Sequence, residues 1–325
     1  MLLVLTNSLD ATADYLLSKM SAAAVPFIRL DTDTLLRRVA FSYVVGRPLI
    51  QIANQKYMPD EFSAVWYRRP EHLLSETIPD SPEGKCVRDE WSEALEGFFA
   101  HIPRNRWMNY PAANALASRK LEQLTTAHSL GFVVPETCVT QAPAVLRHFF
   151  AHHHGEVIVK PLGNAYIERP DDEGDSVIFT NRVKASDLDE LTDLARCPTL
   201  FQQAIRKQSD IRITVIDEDI HAVELIAKDE YGGQRCDIRR NNMTDVTYRS
   251  LDLPHDVTEK VHALMKHYGL RFAAIDMAIA EDGKWCFFEI NPNGQWAWLD
   301  LSAGTAIYKS FLASFDATPC RAAEG

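Results

Sequence analysis

Ala273-Ala-Ile-Asp-Met-Ala-Ile-Ala-Glu-Asp-Gly-Lys-Trp-Cys-Phe-Phe-Glu-Ile-Asn-Pro-Asn-Gly-Gln-Trp296 is the stretch from which the rest of the chain can be read. Its pattern predicts two strands joined by a tight turn at Glu281-Asp282-Gly283, the first carrying Asp276, the second running from Trp285 and ending in Glu289 and Asn291. Glu289 and Asn291 lie two residues apart and share one face of an extended backbone, and Asp276 on the paired strand can face the same spot. Three oxygen-bearing side chains then converge. Such a donor set suits a hard divalent cation such as Mg²⁺, which completes its shell with waters and nucleotide phosphates. The residues alone also admit an ordinary hairpin with solvated acids, but a charge in the middle of each of two apolar strands calls for a partner.

The chain around this stretch has 325 residues, 46% of them hydrophobic, enough for a sizeable core and two or three domains. No apolar run is long enough to cross a bilayer and the N-terminus does not read as a signal peptide, so the expected location is the cytoplasm. Six cysteines are scattered without a C-x-x-C pair, which argues against a zinc site or a disulfide framework and predicts mostly buried small hydrophobes. A net charge of −11 argues against nucleic acid as a partner. Basic residues nevertheless cluster at Arg68-Arg69, Arg104 to Arg106, Arg206-Lys207 and Arg235 to Arg240, and a positive well inside an acidic protein fits an anionic ligand.

Met1 to Thr6, Asp10 to Ser21 and Pro26 to Leu30 predict a β-α-β opening with parallel pairing, ending at Asp31-Thr-Asp33. It lacks the G-x-G-x-x-G of a dinucleotide site. Phe41 to Val45 and Pro48 to Ile52 predict a hairpin, and Ala64 to Arg69 a strand whose end presents Arg68 and Arg69 either to a ligand or to water. Helices are expected over Asp89 to His101 and over Asn114 to Ser129, the latter carrying Lys120, which alone reads as a solvated charge. Glu156 to Lys160 is an apolar run closed by a lysine, placed like a point charge aimed at a phosphate. The polar stretch Leu162 to Val177 reads as a flap, or as a plain surface loop. His152-His-His154 falls at a helix end and reads as a helix-terminus interaction rather than a metal site. Further strands are expected at Val177 to Asn181 and Thr199 to Gln203, with a helix capped by Ser186 between them. A long hairpin, Asp210 to Ile216 with His221 to Ile226, follows, and then a helix from Val257 to Tyr268 stopped by Gly269 and a last helix from Thr305 to Phe315.

Lys120, Lys160, Gln202-Gln203, Arg212, Asp276, Glu289 and Asn291 together resemble the ATP-grasp superfamily, and within it the graspetide synthetases, the microviridin-type peptide maturases. The resemblance spans almost the whole chain and rests on Asp31-Thr-Asp33, Ala64-Val-Trp-Tyr-Arg-Arg69, Leu130 to Thr137, Asp210-Ile-Arg212 and above all Phe288-Glu-Ile-Asn-Pro-Asn-Gly-Gln-Trp296. It implies an α/β, ATP-grasp fold: an N-terminal pre-ATP-grasp α/β domain over 1–110, a central lid domain over 111–200 and a C-terminal antiparallel-sheet domain over 201–325. It further implies ATP and Mg²⁺, with Lys120 and Lys160 on the phosphates, Gln202, Gln203 and Ile205 at the adenine hinge and Asp210 near the ribose. Arg212, assisted by Arg239 or Arg240, would stabilise the transferring phosphoryl group, and Asp276, Glu289 and Asn291 would ligate the metal.

The implied reaction activates Asp or Glu side chains of a ribosomal precursor peptide as acyl phosphates. Ester or amide crosslinks to Ser, Thr or Lys then form, with release of ADP and phosphate. The implied partner is that peptide, with its leader and an acidic, Thr-rich core, and a homodimer is a possible assembly. Two other readings share the site: an amino-acid ligase of the glutamate-ligase or glutathione-synthetase type, and a nucleotide-binding regulatory protein without turnover. The flap carries fewer glycines than many ATP-grasp enzymes have, so no phosphate contacts are assigned within it.

Overall fold

The computed structural model describes residues 1–70, 78–163, 166–167, 176–243 and 245–316. Leu2–Thr6 is buried along its whole length because it has neighbours on both edges: it pairs in parallel with Phe27–Asp31 and with Ala64–Tyr67, and Trp107–Met108 completes the sheet. The helix Ala11–Ala22 crosses between the first two strands, its start fixed by the Asp10 side chain, which accepts from the backbone of Thr12 and Ala13. A small antiparallel sheet, Val39–Val44, Arg47–Ile52 and Gln55–Tyr57, contains the expected hairpin.

A second, antiparallel sheet has the order Asn181–Arg182, Val157–Lys160, Thr199–Gln203, Thr137–Thr140, with Leu146 of the helix Pro143–His152 packed against it. The third sheet, five antiparallel strands, runs Thr247–Leu251, Asp219–Ile226, Lys207–Ile216, Phe272–Ala280, Trp285–Asn291. Strand alternation divides its faces. Ile211, Ile213, Val215, Ala273, Ile275 and Met277 pack under the helix His255–Tyr268, whose Val257, Val261, Leu264 and Met265 are buried there. Arg212, Ala274 and Asp276 therefore point to the opposite face. That face also carries Phe272, which joins Trp296 and Phe311, stacked at 4.7 Å, and Leu2, Val4, Trp66 and Met108 of the parallel sheet in one apolar cluster.

Several sequence expectations change. The helix expected over Asn114 to Ser129 is two, Pro111–Ala117 and Lys120–Ser129, because Arg119 is extended (φ −82°, ψ 98°) and Ser118 Oγ donates back to the Asn114 carbonyl at 2.7 Å. Lys120 is thus the first residue of a helix rather than an interior one. The helix expected from Ser186 is two short 3₁₀ turns, Ala185–Leu188 and Thr192–Arg196, and the local acceptor is Asp187, which takes the Lys184 backbone N–H at 2.8 Å. Val177 to Asn181 is divided between Ser176–Val177, paired with Tyr166–Ile167, and Asn181–Arg182 in the second sheet. The helix expected from Asp89 begins earlier, at Pro82, behind the cap Ser81. Most of the stretch read as a flap lies outside the described residues. Of the cysteines described, Cys286 is buried, while Cys86 and Cys197 are exposed and Cys138 and Cys236 intermediate. Cys86 lies on the helix Pro82–Phe99, Cys138 on the strand Thr137–Thr140 and Cys197 just after a 3₁₀ turn, at positions that leave the thiol partly or fully exposed. Among the described residues no helix is long and apolar enough to cross a membrane.

Arg68 is neither a ligand contact nor a surface residue. Its side chain and that of Asp10 are both 0% exposed, with Nε 3.3 Å from Asp10 Oδ2, and its guanidinium donates to the Asn293 carbonyl. Burial, only partly offset by Asp10, brings its pKa down to about 10. Arg68→Ala is expected to destabilise the fold by about 3–5 kcal/mol, because Asp10 would remain as a buried charge without its partner. Urea denaturation measures this, and a loss below about 1 kcal/mol would show that water reaches Asp10.

Candidate active site

The strands Phe272–Ala280 and Trp285–Asn291 pair with Asp276 opposite Glu289 and Ala274 opposite Asn291. The register shifts just after Asp276, so that Met277 faces Phe287 and Phe288 is the extra residue of a bulge. A regular strand would send Phe288 and Glu289 to opposite faces; here both line one cavity of about 880 Å³. Asn291 Nδ2 stands 3.1 Å from both Asp276 Oδ2 and Glu289 Oε1, so the three side chains converge as the alternation predicted.

This end of the hairpin is clamped from elsewhere in the chain. Asn109 donates to the carbonyls of Phe272 (2.7 Å) and Pro292 (3.1 Å) and accepts from the backbone of Arg271 and Phe272. Gln123 bonds the backbone of Ile290 in both senses, and Asn114 Nδ2 reaches Asn293 Oδ1 at 3.0 Å. Asn109 and Gln123 are paired through both ends of their amides, whereas Asn114 is held through Nδ2 alone, its Oδ1 being buried without a hydrogen-bond partner. No sequence motif marks them, because an isolated Asn or Gln, in a turn as at Asn109 or on a helix as at Asn114 and Gln123, carries no periodic signal.

Lys120 Nζ donates to the Pro161 carbonyl at 2.8 Å and lies 3.6 Å from Glu289 Oε2. Lys160 ends its strand with Nζ 6.0 Å from the Phe288 ring centre, and Lys207 approaches the same ring at 5.9 Å. Arg212 Nη1 donates to both Asp276 oxygens at 2.8 Å and Nη2 to the Gln295 carbonyl at 2.8 Å, while its Nε is buried without a hydrogen-bond partner. Gly294 is what lets the loop pass here: a Cβ on it would meet the Ala274 Cβ at 2.3 Å and Arg212 Nη2 at 3.0 Å.

The two carboxylates are driven apart. Burial, reinforced by Glu289 against the pull of Arg212, holds Asp276 above the usual carboxylate range. Burial also pushes Glu289 up, but Lys120 and Lys160 outweigh it and the net direction is down. Burial lowers Lys160, with Lys120 acting in the same sense and Glu289 against it. With side-chain exposures of 33% for Asp276 and 28% for Glu289, both acids remain reachable by a ligand. Two carboxylates and an amide, open to the cavity on one side, fit a hard cation; turning the Asn291 amide over would present its oxygen where its nitrogen now sits.

The other residues singled out in the sequence divide as follows. Gln202, Gln203, Ile205 and Asp210 line the same cavity. Gln202 Nε2 donates to Thr137 Oγ1 at 2.8 Å, and Asp210 accepts from Lys207 (2.6 Å) and Gln234 (2.9 Å). Burial raises the Asp210 pKa despite Lys207. Arg239 lines the cavity paired to Asp237, with 2.6 Å between Nη2 and Oδ2. Arg240 is not among the lining residues; it donates to Asn181 Oδ1 and lies over the Phe179 ring. Arg69, Arg206 and Lys207 of the basic clusters join the wall, as do Phe288, which opens the Phe288 to Trp296 motif but was given no role there, and Arg182 and Trp298, which no sequence motif marked.

Residues 1–114 match a family described as the MvdD pre-ATP grasp domain, and residues 122–289 the prokaryotic glutathione synthetase ATP-grasp domain. Among solved structures, the macrocyclase MdnC of Microcystis aeruginosa MRC, bound with the precursor peptide MdnA, is 28% identical, covering 95% of this chain and 97% of its own, with a TM-score of 0.82. A RiPP-associated ATP-grasp ligase of Chryseobacterium gregarium, in complex with ADP and a leader and core peptide, is 27% identical, covering 99% and 97%, with a TM-score of 0.82. The macrocyclase MdnB of Microcystis aeruginosa MRC is 26% identical, covering 97% and 98%, with a TM-score of 0.77. No curated protein matches the chain in sequence.

Proposed function

The chain belongs to the ATP-grasp superfamily and, with its MvdD-type N-terminal region, to the microviridin-type branch of it; from that premise we propose an ADP-forming ligase that joins side chains within a ribosomally made precursor peptide. The observation that carries this reading is the single cavity in which Asp276, Glu289 and Asn291 face Lys120, Lys160 and Arg212. Acids alone would repel both a polyphosphate and a peptide carboxylate, and cations alone would leave no place for a metal; the cavity holds both.

In the proposed reaction an Asp or Glu side chain of the peptide attacks the γ-phosphate of ATP, ADP leaves, and a Ser, Thr or Lys side chain then displaces phosphate from the acyl carbon. Mg²⁺, held by Asp276, Glu289 and Asn291, would supply positive charge against the phosphate oxygens. Lys120, at a helix start, and Lys160, at a strand end, bind the phosphates as point charges on rigid elements. Gln202, Gln203 and Ile205, on the strand and link into Lys207–Ile216, form the adenine side, and Asp210 closes the ribose end. Arg212 neutralises charge on the transferring group, its guanidinium held in place by Asp276 and the Gln295 carbonyl, with Arg239 lining the same cavity within electrostatic reach of Glu289 and Asp276. Arg240 would assist only from outside the wall. The proposed domains, 1–110, 111–200 and 201–325, are supported by a separate sheet near each range. ATP and Mg²⁺ as the species used, a leader and an acidic, Thr-rich core on the peptide, and a homodimer belong to the same proposal.

The test is incubation of the protein with MgATP and a Thr- and acid-rich precursor peptide, followed by mass spectrometry. Loss of one water from the peptide for each bond formed, with matching ADP release, is the expected result. An unchanged peptide together with ADP release driven by a free amino acid would replace this reading by that of an amino-acid ligase, which the glutathione-synthetase match over 122–289 makes the next choice.

A further inference from the structure

The three consecutive histidines do not behave as helix-end charges alone. The helix Pro143–His152 closes on His153, and the chain then turns through His154 (φ 52°) and Gly155 (φ 83°). This turn leaves His152 and His153 side by side, with ring centres 4.9 Å apart and planes at 85°. Glu136, just ahead of the strand Thr137–Thr140, meets both: its Oε2 is 3.3 Å from His153 Nε2 and 3.7 Å from His152 Nε2. The donor atoms of the three residues lie within 4.8 Å of one another.

His153 is the informative member. Its side chain is 7% exposed, and Nε2 is buried with no hydrogen-bond partner, since the Glu136 oxygen is near but not aligned to accept. A buried imidazole nitrogen left this way costs free energy that a metal bond would recover. Exposed Glu136 and His152, with side-chain exposures of 64% and 61%, keep the outer side of the cluster open to an arriving ion and to water. Zinc bonds of about 2.0–2.1 Å put tetrahedral donors about 3.4 Å apart, close to the 3.3 and 3.7 Å that separate Glu136 Oε2 from the two imidazoles. Two imidazoles and one carboxylate favour the zinc class of ions over Mg²⁺. A cation at this position also meets the negative end of the helix.

We propose that Glu136, His152 and His153 form a second metal site, separate from the Asp276, Glu289 and Asn291 set, that takes one divalent transition ion of the zinc type through three protein ligands and water. The ion would tie the end of Pro143–His152 to the segment that enters the second sheet. The backbone carbonyl of Glu136 also accepts the Gln203 backbone N–H at 2.8 Å, so the site stands one main-chain hydrogen bond behind the cavity wall.

The test uses the whole, chelator-stripped protein in excess Mg²⁺, which occupies the all-oxygen set. Co²⁺ titration followed by its absorption, and Zn²⁺ titration by calorimetry, should each give one equivalent bound. Glu136→Gln and His152→Ala replace exposed side chains and leave the fold intact; each is expected to weaken Zn²⁺ by more than about tenfold, since even the outer partners of metal ligands contribute about 10- to 100-fold. Zn²⁺ should raise the melting temperature of the parent protein and not of these variants. His153→Ala should remove binding, and Asp276→Ala should leave it unchanged. Absence of a stoichiometric site, binding indifferent to Glu136→Gln and His152→Ala, or binding lost in Asp276→Ala would each overturn the proposal.

Discussion

Glu289→Ala is expected to cut peptide-dependent ADP release by about a thousandfold or more while leaving the melting temperature nearly unchanged. Glu289 faces Asp276 across the strand pair, touches the Asn291 amide at 3.1 Å and lies 3.6 Å from Lys120. Lys120 and Lys160 hold its pKa below the ordinary value against the effect of burial, so it is charged at neutral pH and available as a metal ligand. Removing it takes away a ligand and also leaves two lysines facing a single acid. The nucleotide phosphates would then meet an over-positive pocket that binds ADP without organising transfer. Stability should change little because the side chain is 28% exposed and solvent can replace its contacts. Coupled ADP release and a thermal melt of the same preparation make the measurement. Turnover within tenfold of the parent would remove Glu289 from the metal set.

The second large effect is expected at Arg212. Arg212→Ala should lower kcat by about a thousandfold, at the modest end of what arginines contribute to phosphoryl transfer, while nucleotide affinity changes much less. The side chain is 11% exposed, spans both oxygens of Asp276 and reaches the Gln295 carbonyl. Arg212→Lys should rescue little, because an ammonium cannot hold the carboxylate and the carbonyl in one plane. A kcat against KM comparison separates the cases. Equal losses in affinity and turnover would make Arg212 a binding group, and full rescue by lysine would reduce it to a point charge.

Both predictions concern residues that were legible before any coordinates. Asp276, Glu289 and Asn291 follow from period-two alternation on two adjacent strands, which is a local property, whereas Arg212 came from the resemblance that Asp210-Ile-Arg212 carries. Lys160 was readable as a lysine closing an apolar run. Phe288 was not, since its place beside Glu289 in the cavity depends on a one-residue bulge that leaves no mark in composition. Arg68 illustrates the opposite limit. Adjacent to Arg69 and identical in type, it is sealed against Asp10 and Asn293 while Arg69 faces the cavity. Only the packing of the parallel sheet against the loop after Asn291 separates the two.

The break at Ser118–Arg119 is a further case. Helical periodicity continues through it, yet the chain turns, and that turn places Lys120 at a helix start, 3.6 Å from Glu289, and swings Asn114 onto Asn293. The histidine run shows the same limit, because its meaning depends on Glu136, which enters from another element.

The sequence by itself determined the parallel β-α-β opening, the long hairpin and the converging acids, because these depend on alternation and turn chemistry within a few residues of one another, and its motifs along the chain carried the resemblance to the ATP-grasp class. Only the tertiary structure decided which cations face those acids, which arginine is buried, how Asn109, Asn114 and Gln123 clamp the Ile290–Asn293 backbone, and that Glu136 meets His152 and His153. Those contacts join residues far apart in the chain. Their free energy depends on burial and on the distance and alignment of partners, and these exist only once the sheets have packed.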